Sequence, residues 1–170
     1  ASVLIEDGKI KKIKNAIEVG KEVEIIDIKG KHLTPGLIDC HSHSAISRGV
    51  NEGTHSVTVE VRIGDSVDPT DISLYRQLGG GLTTANLLHG SANPMGGENQ
   101  VIKLRWGCGP DGLKFKGAKP GVKFALGENV KQSNWGDKNT TRYPQTRMGV
   151  EQIMKDSFIA AKEYGDEKIK

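Results

Sequence analysis

What is scarce in these 170 residues sets the first limits. Cys40 and Cys108 are the two cysteines; they can form one bridge at most and show no Cys-x-x-Cys spacing, so a disulfide scaffold is excluded and both read as packed thiols. Aromatic residues make up 5%, and 24 Lys+Arg against 21 Asp+Glu leave a net charge of +3, with no basic stripe interleaved with aromatics. Nucleic acid is therefore not an expected partner. No run approaches the ~20 consecutive apolar residues of a membrane span, and no charged-then-apolar start reads as a signal peptide. A soluble chain of cytoplasm or periplasm is expected, with 35% apolar residues sufficient for one core. Glycine is plentiful instead. Its 22 copies fall in turns and short clusters, which suits many short elements with functional loops rather than a helical bundle.

Residues 2–6, 9–13 and 22–28 alternate apolar and charged side chains with a period near two, and Asp7-Gly8 separates the first two runs. Three short strands with one wet face are expected, the first two forming a hairpin. The chain opens directly inside the first strand, as if cut at its N-terminus. After the Pro35-Gly36 turn, the short apolar run 37–40 reads as a strand covered on both faces. Asp68-Pro69-Thr70-Asp71 reads as a helix start with an Asp cap and Pro at the first helical position; Ile72, Tyr75 and Leu78 follow near helical spacing and Gly79-Gly80-Gly81 ends the element. The β-branched run 82–88 stops at His89-Gly90. Strand, helix and strand in this order predict a parallel pair. Farther on, 100–104 reads as a short strand and 122–126 as a third buried strand. Val150, Ile153, Met154, Phe158 and Ala161 then recur at helical spacing, with Glu151 four residues before Lys155, and Gly165 is the expected stop.

His41-Ser42-His43 is the most informative chemical feature. Residues i and i+2 of a strand point to the same side, so both imidazoles can converge on one ion. Neutral imidazole suits zinc and its first-row neighbours. Other patterns carry less. The three glycines at 79–81 lack a following Gly-Lys-Ser/Thr and end a helix, the wrong end for an anion. Ser42 and Ser44 have histidine neighbours and no evident orienting acid, so a nucleophilic triad is a poor reading.

The string His32-Leu33-Thr34-Pro35-Gly36-Leu37-Ile38-Asp39-Cys40-His41-Ser42-His43 resembles the signature of the amidohydrolase superfamily. There, a small β-sandwich hands over to a metal-binding (β/α)8 barrel through a Pro-Gly-Leu-Ile-Asp-x-His-x-His passage. Asp7-Gly8-Lys9-Ile10 and Ile26-Asp27-Ile28-Lys29-Gly30-Lys31 are similar to its lead-in strands, and Leu82-Thr83-Thr84 and Lys123-Phe124-Ala125-Leu126-Gly127-Glu128-Asn129 are most similar to its imidazolonepropionase-related branch.

The resemblance implies an α/β architecture. A partial β-sandwich is expected over 1–33, and the first strand-helix units of a TIM-type barrel over 34–170. It also implies one or two divalent metals, zinc above all, with His41 and His43 as ligands and a third ligand from a later strand. Carboxylated Lys123 and Glu128 are the candidates. Glu128 is favoured because it lies just past the expected C-terminal end of its strand, whereas Lys123 lies near the start and its ammonium form has no lone pair. His89 and Asn93, at and beyond a strand end, are expected to face the barrel mouth and bind substrate.

In the family, two later histidines and an aspartate complete the site, yet no histidine follows His89. A full barrel takes ~250 residues, so an N-terminal piece of a longer enzyme is expected. The implied activity of the parent is hydrolysis of a small amide or cyclic C–N substrate by metal-activated water, with the aspartate as general base. The alternative is a catalytically inactive fragment that self-associates, as a homo-oligomer, through open strand edges. A metal-binding module unrelated to hydrolases is a third reading.

Overall fold

The computed structural model describes residues 1–131 and 142–169. The chain divides into two compact units, Ala1–Pro35 and Gly36–Lys170.

In the first unit, β1 (Ser2–Glu6) and β2 (Lys9–Lys14) form an antiparallel hairpin with Glu6 opposite Lys9. Asp7 and Gly8 both have positive φ, 53° and 70°. That backbone matches the twist of the flanking strands, and Asp-Gly is the dipeptide that adopts it at least cost. Residues 22–28, expected as a third strand, form none. Ile25 and Ile26 are 76% and 75% exposed. Period-two alternation needs a partner edge to become a strand, and none is paired with this run among the described residues.

The second unit carries the remaining elements. Strand β3 (Leu37–Ser42), helix α1 (Ile72–Gly79) and strand β4 (Leu82–Leu87) form the expected parallel unit. Antiparallel β6 (Gln100–Lys103) extends it to a sheet of order β3-β4-β6. Among the described residues β3 has one neighbour, β4, and Leu37 and Ile38 stand 62% and 72% exposed instead of covered on both faces. Strand β5 (Met95–Glu98) pairs antiparallel with β7 (Val122–Phe124) in a separate two-stranded sheet. The expected strand 122–126 is thus shorter and less buried than its composition suggests.

Helix α1 starts one turn later than expected. Asp68 folds back on its own chain, accepting from Thr70 N–H and Oγ1–H. Asp71 is the cap instead, accepting from Ser73 N–H at 2.8 Å. Its second oxygen receives the Ala45 N–H at 2.7 Å, tying the helix start to the loop after β3. Leu74, not Ile72 or Tyr75, is the side chain α1 buries. It joins Ala45, Ile63, Val67, Ala85, Leu87, Ile102, Leu104 and the Leu113 of short helix α2 (Pro110–Leu113) in the main core.

Helix α3 (Arg147–Lys168) is capped by Thr146 and runs through Gly165, the expected stop. A glycine ends a helix when it takes a left-handed conformation, and Gly165 keeps a helical one. Val150 and Met154 pack on Ala125 and Val130 in a second core. Phe158 stacks on Phe124 with centroids 6.1 Å apart, and Glu151 pairs with Lys155 at 2.6 Å. The polar loop expected before this helix lies partly outside the described residues. No helix among the described residues is long and apolar enough to cross a membrane.

Candidate metal centre

β3 and β4 are parallel, so their C-terminal ends share one end of the sheet. His41 and His43 leave that end of β3 on one side, as i and i+2 must. Their Nε2 atoms stand 3.3 Å apart and the rings meet edge to face at 83°. Two nitrogens bound to one tetrahedral zinc at ~2.0–2.1 Å each stand about 3.4 Å apart. The pair therefore has the spacing a single ion requires.

The rings are also oriented. His43 Nδ1 lies 3.0 Å from the Leu88 carbonyl at the end of β4. A carbonyl can only accept, so Nδ1 carries a proton, and in the neutral form of the ring this leaves the Nε2 lone pair facing His41. Metal-binding histidines use such a backbone carbonyl to fix their tautomer. The His41 backbone N–H donates to Asp39 Oδ1 at 3.0 Å.

Lys123 of β7 brings its Nζ to 3.3 Å from His41 Nε2. Burial lowers its pKa, and the Lys123 charge, then burial and His43, lower that of His41 against a weaker opposing effect of Asp39. With His43 neutral and Lys123 charged, the protons cannot satisfy both contacts. An ammonium donating to His41 Nε2 leaves that lone pair also facing the lone pair of His43. An electron-pair acceptor among the three nitrogens removes the conflict, so the donor set fits a divalent cation. The charged lysine does not fit as a ligand; its N-carboxylate would. Among the described residues, no group of three or more His, Cys, Asp and Glu could hold a metal.

The remaining expected site residues are held by other partners. Glu128 lines the same cavity of about 470 Å³ as His41 and Lys123. Its carboxylate, however, is engaged by Arg147, the first residue of α3, and by Lys131. Lys123 is the middle residue of β7, and Glu128 lies four residues beyond the end of that strand at Phe124. His89 and Asn93 do not face an open mouth: they are 1% and 0% exposed. Residues 51–58 fold over them. His89 Nε2 accepts from Glu52 N–H at 2.8 Å, and Asn93 Nδ2 donates to the Glu52 carbonyl and to Thr58 Oγ1.

Arg142 was not singled out by sequence reading, yet it fastens this loop. Its guanidinium donates to the Gly53 and His55 carbonyls, to Asn93 Oδ1 and to the Ala92 carbonyl. These acceptors lie 49 to 89 residues away along the chain, so no local pattern marks the residue.

The crystal structure of an amidohydrolase from Thermotoga maritima MSB8 matches with a TM-score of 0.87 and 36% identity, over 98% of this chain and 44% of that one. Amidohydrolase tasK of Hapsidospora irregularis is 34% identical over 179 aligned positions, covering 94% of this chain and 18% of tasK. A dihydroorotase of Carboxydothermus hydrogenoformans is 46% identical over 52 positions, covering 24% of this chain and 12% of that one. No protein-family model matches the chain. The chain spans less than half the length of each of these relatives. In sequence and in fold it belongs to the amidohydrolase superfamily. The relatives do not narrow it to the imidazolonepropionase-related branch.

Proposed function

We propose that this chain carries the His-x-His end of the metal site of a hydrolase that cleaves C–N bonds in small amides or cyclic amides. The observation that carries the reading is the 3.3 Å separation of the His41 and His43 Nε2 atoms, with His43 Nδ1 held by Leu88. Relatives named amidohydrolase and dihydroorotase support the reaction class. The parallel β3-α1-β4 unit and the likeness to the Thermotoga protein support a wider reading, in which Gly36–Lys170 forms the opening part of a (β/α)8 barrel and Ala1–Pro35 part of a sandwich.

His41 and His43 would hold a divalent ion, zinc by preference for two imidazoles. When bound, such an ion acts as a Lewis acid toward a carbonyl and lowers the pKa of water. Lys123 would take the third position once its ammonium has lost a proton and the resulting amine has added to carbon dioxide, forming an N-carboxylate and releasing a second proton. That exchange turns a repelling cation into an anionic oxygen donor. The Leu88 carbonyl keeps His43 in the tautomer whose Nε2 lone pair is available. Glu128, paired with Arg147 and Lys131, holds the wall of the cavity to the start of α3.

The test is metal analysis of the purified protein and of the His41→Ala/His43→Ala double variant. Zinc bound by the wild type and lost from the variant is expected; metal content unchanged by the double substitution would overturn the ligand assignment.

A further inference from the structure

The Leu88 carbonyl that receives the His43 Nδ1–H shares a planar peptide group with the nitrogen of His89. With both Cα atoms held, that plane can turn only about the line joining them, by opposite changes in Leu88 ψ and His89 φ, and a fixed His89 Cβ and carbonyl limit that turn sterically. On one side Leu88 N–H donates to the Ser42 carbonyl at 3.1 Å. On the other, the buried His89 ring is anchored at both nitrogens: Nδ1 with the Gly90 carbonyl and Nε2 with Glu52 N–H, each at 2.8 Å. The ring lies directly on Gly96, where an added Cβ would come within 2.8 Å of Nδ1. His89 does not line the cavity that holds His41, Leu88 and Lys123. It is therefore placed to act on the pair through the backbone and not by touching substrate.

We propose that His89 is a positioning residue: by fixing the Leu88–His89 peptide it holds the His43 ring in its Nδ1–H tautomer, with Nε2 aimed at His41. The consequence for metal binding rests on the reading of His41 and His43 as ligands; the consequence for the tautomer does not.

The test uses the metal-free full chain with 15N-labelled histidine at about pH 8, where an imidazole of ordinary pKa is neutral. Long-range 1H–15N NMR reads which nitrogen of His43 carries the proton. The Nδ1–H form is expected in wild type and in His89→Gln, whose side-chain oxygen still receives the Glu52 N–H. His89→Ala and His89→Asn are expected to give mixed tautomers and zinc binding about 10-fold weaker or more. Destabilisation without a tautomer change, in either variant, overturns the proposal. If His89→Ala does not fold, the contrast between His89→Gln and His89→Asn decides alone. A wild-type chain that binds no zinc yet shows the tautomer contrast overturns the ligand reading and supports the positioning of His43 by His89.

Discussion

The imidazole of His43 is tied by its Nδ1 to the carbonyl of Leu88, 45 residues along the chain and 3.0 Å away. One ring thus serves two partners, with Nδ1 holding β3 to the end of β4 and Nε2 meeting His41. The two roles can be separated. His43→Asn offers an amide N–H near the position of Nδ1 and nothing near Nε2. It is expected to stay within about 0.5 kcal/mol of wild-type stability while losing zinc binding. His43→Ala is expected to lose zinc and also about 1 kcal/mol, the worth of one hydrogen bond. Denaturant melts alongside zinc titrations check both.

Lys123 is expected to matter for metal binding more than for folding. Lys123→Met keeps most of the side-chain volume on β7 and removes the amine. Zinc affinity should fall at least about 10-fold with the melting curve little changed, whereas Glu128→Gln should leave zinc affinity within about 3-fold. Equal losses in the two variants would return Glu128 to the ligand set.

Asp71 couples the start of α1 to the loop after β3. Burial alone would raise its carboxyl pKa, but the Ala45 and Ser73 amides outweigh this and hold it below the ordinary value of 3.8. A depressed folded pKa means that the stabilisation is complete above the ordinary value and is lost as pH falls through the folded one. Asp71→Ala should cost about 1–2 kcal/mol at neutral pH. Asp71→Asn keeps one oxygen of the two and should cost less. Urea melts between pH 7 and about pH 2 should show the gap between wild type and Asp71→Ala constant down to about pH 5 and closing below pH 4.

Arg142 should be among the more sensitive positions of the second unit. Its guanidinium reaches three backbone carbonyls and the Asn93 amide through two nitrogens. Arg142→Ala is expected to cost about 2–4 kcal/mol, and Arg142→Lys to recover only part of it, because an ammonium cannot reproduce the fork. Hydrogen exchange near residues 51–58 should quicken in both variants.

How much of this was legible depended on how far each feature reaches along the chain. The hairpin at Asp7-Gly8, the parallel β3-α1-β4 unit and the facing of His41 and His43 follow from turn chemistry and spacing, which are local. Residues 22–28 alternate like a strand and pair with no strand among the described residues, because pairing is not a local property. The role of Leu88 is carried by a carbonyl that every residue possesses, so no side chain announces it. His89 and Asn93 sit where a strand end predicts exposure, and only the loop 51–58, fastened by Arg142, buries them. Sequence reading carries the strand after Gly121 on to Leu126, whereas β7 ends at Phe124, and element boundaries are where sequence patterns are weakest.

The most direct test of the metal-centre reading is X-ray absorption at the zinc edge of the zinc-loaded chain. Two imidazole nitrogens at ~2.0–2.1 Å, lost together in His41→Ala/His43→Ala, are the predicted result. A coordination shell without imidazole, or one unchanged by the double substitution, would contradict it.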